Sequence, residues 1–450
     1  MVLGVLWPEP AGSDAERAAL REGRTIITYW DRAQGHEYEM HRDLIEEFNA
    51  SQGEIYVRSI SIGWRIEKLL TAISGGAPPD VCSLEGLNLA LLGTHGCFQP
   101  LEDWMAGQQG LAQDDFLPHA WDMVAFNGHV YGIPTTTDCY ALLWNKAAFR
   151  RAGLDPEHPP KTLRELEEYA QKLTVMSSGG RVEQIGYLPW LPWDFTYMWG
   201  SFFGGEWFDK ERTRVIAADD PRIIASYAWQ GSWVKGVQPG PVAPYALDRA
   251  VAQAFYQGFQ AGGAYFSATN PFYTGKVAMI TEGEWQCTFV PKYAPDLDWG
   301  AAPIPQPEGA PPRAYSPSIV LDAIPVGSRN VDEALTFLKW YYSDRPDGRP
   351  SPSSDYAHRI HNIPARIADA NQDRFTSDPK FKVFVNELMT KEAVYFPPVP
   401  VGRFLADKVQ SARENVIFGL KTPEQAVRDF QKMTNDEWAR IEELASRGTS

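Results

Sequence analysis

TIITYW, residues 25–30, is a run of β-branched and aromatic residues of the kind that forms a buried strand. Working outward from it, Met40, Leu44, Ile45 and Phe48 recur at helical spacing within residues 39–49, and the polar stretch 49–53 ends that helix. Residues 54–62 alternate as a second strand. Ile66, Leu69, Leu70 and Ile73 then make one face of a helix over 65–74, which Gly75 and Gly76 stop, and residues 80–84 read as a third strand. A β-α-β-α-β order predicts a parallel sheet with helices on its faces and any ligand in the crevice beyond the strand ends.

Further along, a hairpin over 125–133 turns at Asn127-Gly128, and PTTTD (134–138) leads into a strand over 140–144. A fresh α/β pattern begins there. Thr162 caps a helix predicted over 163–176, and residues 223–235 and 248–257 are also helical in pattern. GKVAMITEGEWQ (275–286) reads as a short buried strand, Val277 to Ile280, leading to Gly283, whose backbone freedom other residues lack, and then Trp285. Strands are expected at 299–304 and 318–324, a helix at 331–342, and three helices after the Pro/Ser-rich crossing at 345–354.

The 450 residues suggest about two to three domains. Apolar content of 44% and charged content of 22% are ordinary for a globular protein, whereas 16 Trp and 19 Tyr suit a surface that stacks on apolar faces and donates polar edges. A net charge of −15 argues against nucleic acid as a partner. No apolar run approaches bilayer length. Cys82, Cys97, Cys139 and Cys287 lack metal or redox spacing. Cys82 and Cys97 are a candidate pair in an oxidising compartment, against buried free thiols for all four. His36 with His41, and His358 with His361, lack a third ligand for a metal, so no metal or cofactor is expected. Asn49-Ala50-Ser51 is a glycosylation sequon by pattern only. Residues 1–24 read as the remnant of a leader or anchor, or a chance fragment, followed by a polar linker or short surface helix.

Laid in order, TIITYW with its helix ending in FNA, EKLLTAISGGAPPDV, FQPLEDW, NGHVYGIPTTTDCYALLWNKAAFRRAG, PPKTLRELEEYAQKL, GKVAMITEGEW, VGSRNVDEALTFLKW, IPAR and LKTPEQAVRDF resemble the family 1 extracellular solute-binding proteins of the maltose-binding class, the receptors of ABC sugar importers. The resemblance runs from about residue 25 to 445 in family order. It implies a two-lobed α/β periplasmic-binding fold (type II), each lobe a mostly parallel sheet flanked by helices, with the ligand cleft between. Lobe 1 would take 25–135 plus 285–343 and lobe 2 would take 139–280 plus 345–450, with hinge crossings near 135–139, 281–285 and 343–346. It also implies a monomer, periplasmic or extracellular and anchored through a missing N-terminus if at all, with ABC permease subunits as membrane partners. One departure is specific: the family's small-Gly-Pro-Trp step is here Glu282-Gly283-Glu284-Trp285, so a carboxylate replaces the proline.

A sugar offers hydroxyls at its rim and C–H faces above and below, so its receptor needs rings for the faces and planar polar groups for the hydroxyls. Trp285 falls where the family stacks an aromatic on the sugar, against a plain core role. Asp138 falls where relatives place an acidic contact, against a turn-capping role. Trp193 and Asp194 match a ring-and-carboxylate step. Trp30 and Asp31 end the first strand at the crevice mouth. Glu284, Trp64, Glu85 and Arg403 complete the candidates, Arg403 being as well suited to a surface ion pair.

Three function classes follow. The first is a non-enzymatic receptor that binds a carbohydrate, an oligosaccharide, and closes about a hinge. The second is a glycoside hydrolase, for which Asp138 and Glu284 are the nominees as the carboxylate pair. The third is a receptor for another polar solute, or one reporting to a sensor rather than an importer.

Overall fold

The computed structural model describes residues 13–63, 65–237, 242–260, 265 and 267–448. Two main sheets organise the chain, as the two-lobed α/β reading requires. The first has six strands in the order Ile363–Pro364, Ile133–Thr137, Ile319–Ala323, Val81–Glu85, Thr25–Asp31, Ile55–Ser61. Thr25–Asp31 pairs in parallel with both of its neighbours, so the β-α-β-α-β expectation holds at that edge. Beyond Val81–Glu85 the remaining pairs are antiparallel.

The second sheet has three strands, Met279–Gly283, Tyr140–Asn145 and Trp299–Ala302, and both pairings are antiparallel. This differs from the parallel pairing that alternating strand and helix patterns suggested. Long excursions between the strands allow either direction, and periodicity does not encode it. The central strand Tyr140–Asn145 is buried at every position, which explains its continuous apolar run.

Several local expectations are met for the expected reasons. Thr162 and Glu165 form a reciprocal cap on the helix Leu163–Leu173, with the Glu165 amide donating to Thr162 Oγ1 at 3.2 Å. That helix stops short of residue 176 because Val175–Met176 pairs with Val182–Gln184 instead. The hairpin turns through Asn127 and Gly128 at φ 51° and 83°, left-handed values that favour this residue pair. All four cysteines are free and buried. Among the described residues, no helix is long and apolar enough to cross a membrane. Ser13 caps a helix over Asp14–Arg21, the short-helix option for the segment before the first strand.

The expected lobe boundaries differ from the pairing. Trp299–Ala302, assigned to lobe 1, hydrogen-bonds with Tyr140–Asn145 of the second sheet, so the chain returns to the first sheet only between Ala302 and Ile319. Residues 343–351 also stay with the first sheet: Arg345 clasps Glu47 of the helix Gly35–Ser51 through two hydrogen bonds of 2.9 and 2.8 Å. Pro352–Ile360 then buries Tyr356 and Ile360 against Leu44, and Ile363–Pro364 joins the first sheet's edge.

Candidate functional site

Asp138 occupies the step from Ile133–Thr137 of the first sheet to Tyr140–Asn145 of the second. Near it lie Glu85, at the end of one first-sheet strand, and Arg32, just beyond the end of another, while Gly283 at the end of a second-sheet strand pairs with Tyr140 two residues on. Three carboxylates and a guanidinium converge here. Burial and the neighbouring charges of Glu85 and Glu37 push the Asp138 carboxyl up to about 7, against the downward pull of Arg32. Burial likewise raises Glu37 and Glu85, with Arg32 opposing in both and Arg403 also acting on Glu85. Arg32 is itself buried and follows directly on the first strand. With Gly63, Leu69, Ser83, Glu85 and Asn88 it lines a small recess.

The wall on the second-sheet side is aromatic. Trp285 is half-buried at the start of the helix Gln286–Tyr293. Its indole N–H donates to the Tyr265 hydroxyl at 2.7 Å, and its ring stands edge-on to Tyr140 at 5.4 Å. Trp193 packs on Tyr265 with ring centroids 4.6 Å apart. Tyr265 in turn donates to Glu282 Oε1 at 2.6 Å. Burial raises the Glu282 carboxyl to about 7 despite this bond. Gly283 leaves space beside it, because a Cβ there would lie 2.4 Å from the Trp285 ring folded back over it.

Glu284 is fully buried. Its Oε2 accepts from the Cys139 backbone N–H at 2.9 Å, and its Oε1 accepts from the Asn362 amide at 3.2 Å. The same amide nitrogen donates to Asp138 Oδ1 at 3.0 Å. The carboxylate standing in place of proline therefore ties together passes of the chain that meet at the site.

The other candidates divide. Asp31 is turned into its own lobe, where His41 Nδ1 lies 2.6 Å from Oδ2 and the Ala33 N–H donates to Oδ1 at 2.8 Å. Its place at the strand end made it a candidate, but both its oxygens are engaged. Asp194 accepts from the Thr196 amide at 2.7 Å and pairs at 3.3 Å with Arg413, a buried side chain lying against Trp190. Trp30 is half-buried and packs on the core. Arg403 is exposed and forms the expected surface pair with Asp407, at 3.5 Å. Trp64 lies outside the described residues.

Of the histidines, His41 is engaged by Asp31 and His361 meets Thr288 at 2.7 Å. Among the described residues no group of three His, Cys, Asp or Glu side chains is arranged to hold a metal. The side-chain amide of Asn49, the sequon position, is engaged at both ends with Val57, its N–H donating to the Val57 carbonyl and its oxygen accepting from the Val57 N–H. Residues that the sequence did not single out are Arg32, Tyr265, Asn362 and Arg413. Arg32 follows Asp31 at a strand end and was within reach of the crevice rule. Nothing local marks the others.

A family model described as bacterial extracellular solute-binding protein matches residues 42–347. A maltotriose-binding protein from Pyrococcus abyssi is 22% identical over 417 residues, covering 91% of this chain and 80% of the relative. An sn-glycerol-3-phosphate-binding periplasmic protein from Brucella abortus is 25% identical over 304 residues, 65% of each chain. Among solved structures, CpMnBP1 with mannotriose bound is 27% identical and superposes with a TM-score of 0.77 over 91% of this chain and 100% of that one.

Proposed function

The chain belongs to the bacterial extracellular solute-binding proteins, and from that membership we propose that it is the substrate receptor of an ABC importer and takes a carbohydrate, an oligosaccharide, in the cleft between its sheets. The observation that carries the reading is the pairing of two surfaces at one site: the rings of Trp285, Tyr265 and Trp193, and the planar groups of Arg32, Glu85 and Asp138. Rings match the C–H faces of a sugar, and carboxylates and a guanidinium match its hydroxyls. The relatives that bind maltotriose and mannotriose support the same ligand class.

In this reading Trp285 and Trp193 stack on the sugar from the second lobe while Arg32 and Glu85 meet hydroxyls from the first. The lobes pivot where the chain passes between sheets, near Asp138 and Glu284. Closure on ligand requires contacts from both sides, since a ligand shifts a conformational equilibrium only by its difference in affinity for the two states. The receptor acts as a monomer outside the cytoplasmic membrane and delivers to permease subunits.

Two competing readings are weaker. As the carboxylate pair of a hydrolase, Asp138 and Glu284 would have to flank a glycosidic bond. The Asn362 amide bonds to both, and Glu284 has no exposed surface. A phosphorylated solute, as in the Brucella relative, would want unneutralised cationic groups. Arg32 already faces Glu37, Glu85 and Asp138.

The test is a carbohydrate library containing maltotriose and mannotriose, followed by intrinsic tryptophan fluorescence and calorimetry. Stoichiometric binding with a fluorescence change, lost in Trp285→Ala at unchanged circular dichroism, is the expected result. Binding to no carbohydrate, unchanged affinity in Trp285→Ala, or release of reducing sugar would each overturn the reading.

A further inference from the structure

Three separate passes of the chain meet at one side-chain amide. Asp138 lies between the two sheets, Glu284 follows the strand Met279–Gly283, and Asn362 precedes the strand Ile363–Pro364. One nitrogen, Asn362 Nδ2, spends its two hydrogens on Asp138 Oδ1 at 3.0 Å and Glu284 Oε1 at 3.2 Å. Glu284 Oε2 closes the arrangement by accepting from the Cys139 backbone N–H at 2.9 Å. Asn362 and Glu284 are both buried. Glu284 is out of water and Asp138 is half-buried on the same amide, and two carboxylates so held do not both ionise readily, since each charge raises the cost of the other.

The surroundings reinforce this. Asp138 faces Arg32, Glu85 and Glu37 from the first lobe, so the one cation of that set is shared among three carboxylates. Glu284 faces Asp138, Glu282 and the thiols of Cys139 and Cys287. Burial and mutual repulsion raise both carboxyl groups, Asp138 to about 7 and Glu284 well above the usual range.

We propose that Asn362 is a positioning residue of the cleft: it holds Asp138 and Glu284 as a pair carrying one proton between them, so the junction of the three passes is proton-dependent. When the pair keeps its proton it bears a single negative charge, and one amide suffices to bridge it. When the proton leaves to solvent, two anions remain on one amide, one of them fully buried. Their repulsion draws one of them off the amide and loosens the passes against each other. On the sugar-receptor reading, in which Asp138 contacts ligand, affinity falls over the same pH range.

A carboxyl raised in the folded state contributes stability that is full below its ordinary pKa, about 4. That contribution is lost as pH rises through the folded value, about 7 for Asp138.

The test uses ligand-free protein, so it is independent of whether any sugar binds. Hydrogen exchange, corrected for intrinsic rates, is followed for peptides covering 136–141, 282–287 and 360–365 between about pH 5 and about pH 9. In the wild type, protection in all three peptides is expected to fall together by about tenfold or more across that range. Glu284→Gln and Asp138→Asn remove the shared charge and are expected to flatten the profile. Asn362→Ala is expected to lower protection in all three peptides at every pH. A pH-independent wild type, or a wild-type profile retained in both charge variants, overturns the proposal. Should one charge variant fail to fold by circular dichroism, the other decides. A positive carbohydrate screen beside a flat profile overturns this inference alone, and an empty screen beside the expected profile overturns only the ligand assignment.

Discussion

Trp285 and Tyr265 are joined by a 2.7 Å hydrogen bond in which the indole N–H donates to the phenol oxygen, while the phenol proton goes to Glu282 at 2.6 Å. Gln286 adds a second donor to the same oxygen at 3.3 Å. The ring proposed to stack on ligand is thus oriented by a buried hydroxyl whose donor and acceptor capacity is all in use. Burial of an unpartnered polar group costs far more than the net value of one hydrogen bond, so this network is stiff.

Tyr265→Phe keeps the ring against Trp193 but deletes the hub. The Trp285 indole N–H loses its acceptor, and Glu282 Oε1 loses the Tyr265 donor, leaving the Gly283 N–H on Oε2. A stability loss of about 1–3 kcal/mol is expected from denaturant titration. Ligand affinity should fall as well, through a looser Trp285, which calorimetry and the tryptophan emission maximum can follow together.

Glu282 supplies a pH prediction separate from the Asp138 pair. Its carboxyl is raised to about 7 by burial, so its contribution to stability is complete below the ordinary carboxyl range and is lost as pH climbs through about 7. Thermal melting of wild type and Glu282→Gln from about pH 4.5 to about pH 7.5 should show a difference that shrinks by roughly 2–3 kcal/mol, at about 1.4 kcal/mol per unit. A constant difference would mean that Glu282 does not bind its proton more tightly in the folded state.

These residues show where the sequence was readable and where it was not. Thr25–Asp31 announced itself because its run of β-branched and aromatic residues suits a pleated, largely buried strand. Ile133–Thr137 did not, because Pro134 argues against a central strand. The sheet accommodates it with a register shift between Val320 and Leu321, directly opposite. Trp299–Ala302 was recognised as a strand, but nothing in four residues says which sheet it joins. The aromatic wall was half legible. Trp285 and Trp193 stood out in their motifs, but Tyr265 matters only because folding carries its hydroxyl to Trp285, 20 residues away. Asn362 is the extreme case, since its partners lie 224 and 78 residues off.

Asp31 tests the separation of structural from binding roles. It is buried against His41, and removing one member of a buried pair leaves the other unsatisfied. Asp31→Ala should cost about 3–5 kcal/mol in denaturant titration. Because neither oxygen is directed to the cleft, ligand affinity of the folded fraction should stay within about twofold of wild type. A much larger loss of affinity would return Asp31 to the binding surface.

Gly283 and Trp285 are coupled by space, and a double-mutant cycle can measure it. A Cβ at 283 would sit 2.4 Å from Cη2 and Cζ3 of the indole, closer than real atoms approach. Gly283→Ala must therefore displace the ring, with an overpacking cost of about 1–3 kcal/mol and a loss of ligand affinity. Trp285→Ala removes the ring that the new methyl would strike. In the Trp285→Ala background the same Gly283→Ala change should then cost less, by about 1 kcal/mol or more, since the two positions share one contact. Strict additivity would show that the glycine serves the backbone instead. The measured coupling thus decides whether Gly283 is there to bend the chain or to leave room for the ring beside it.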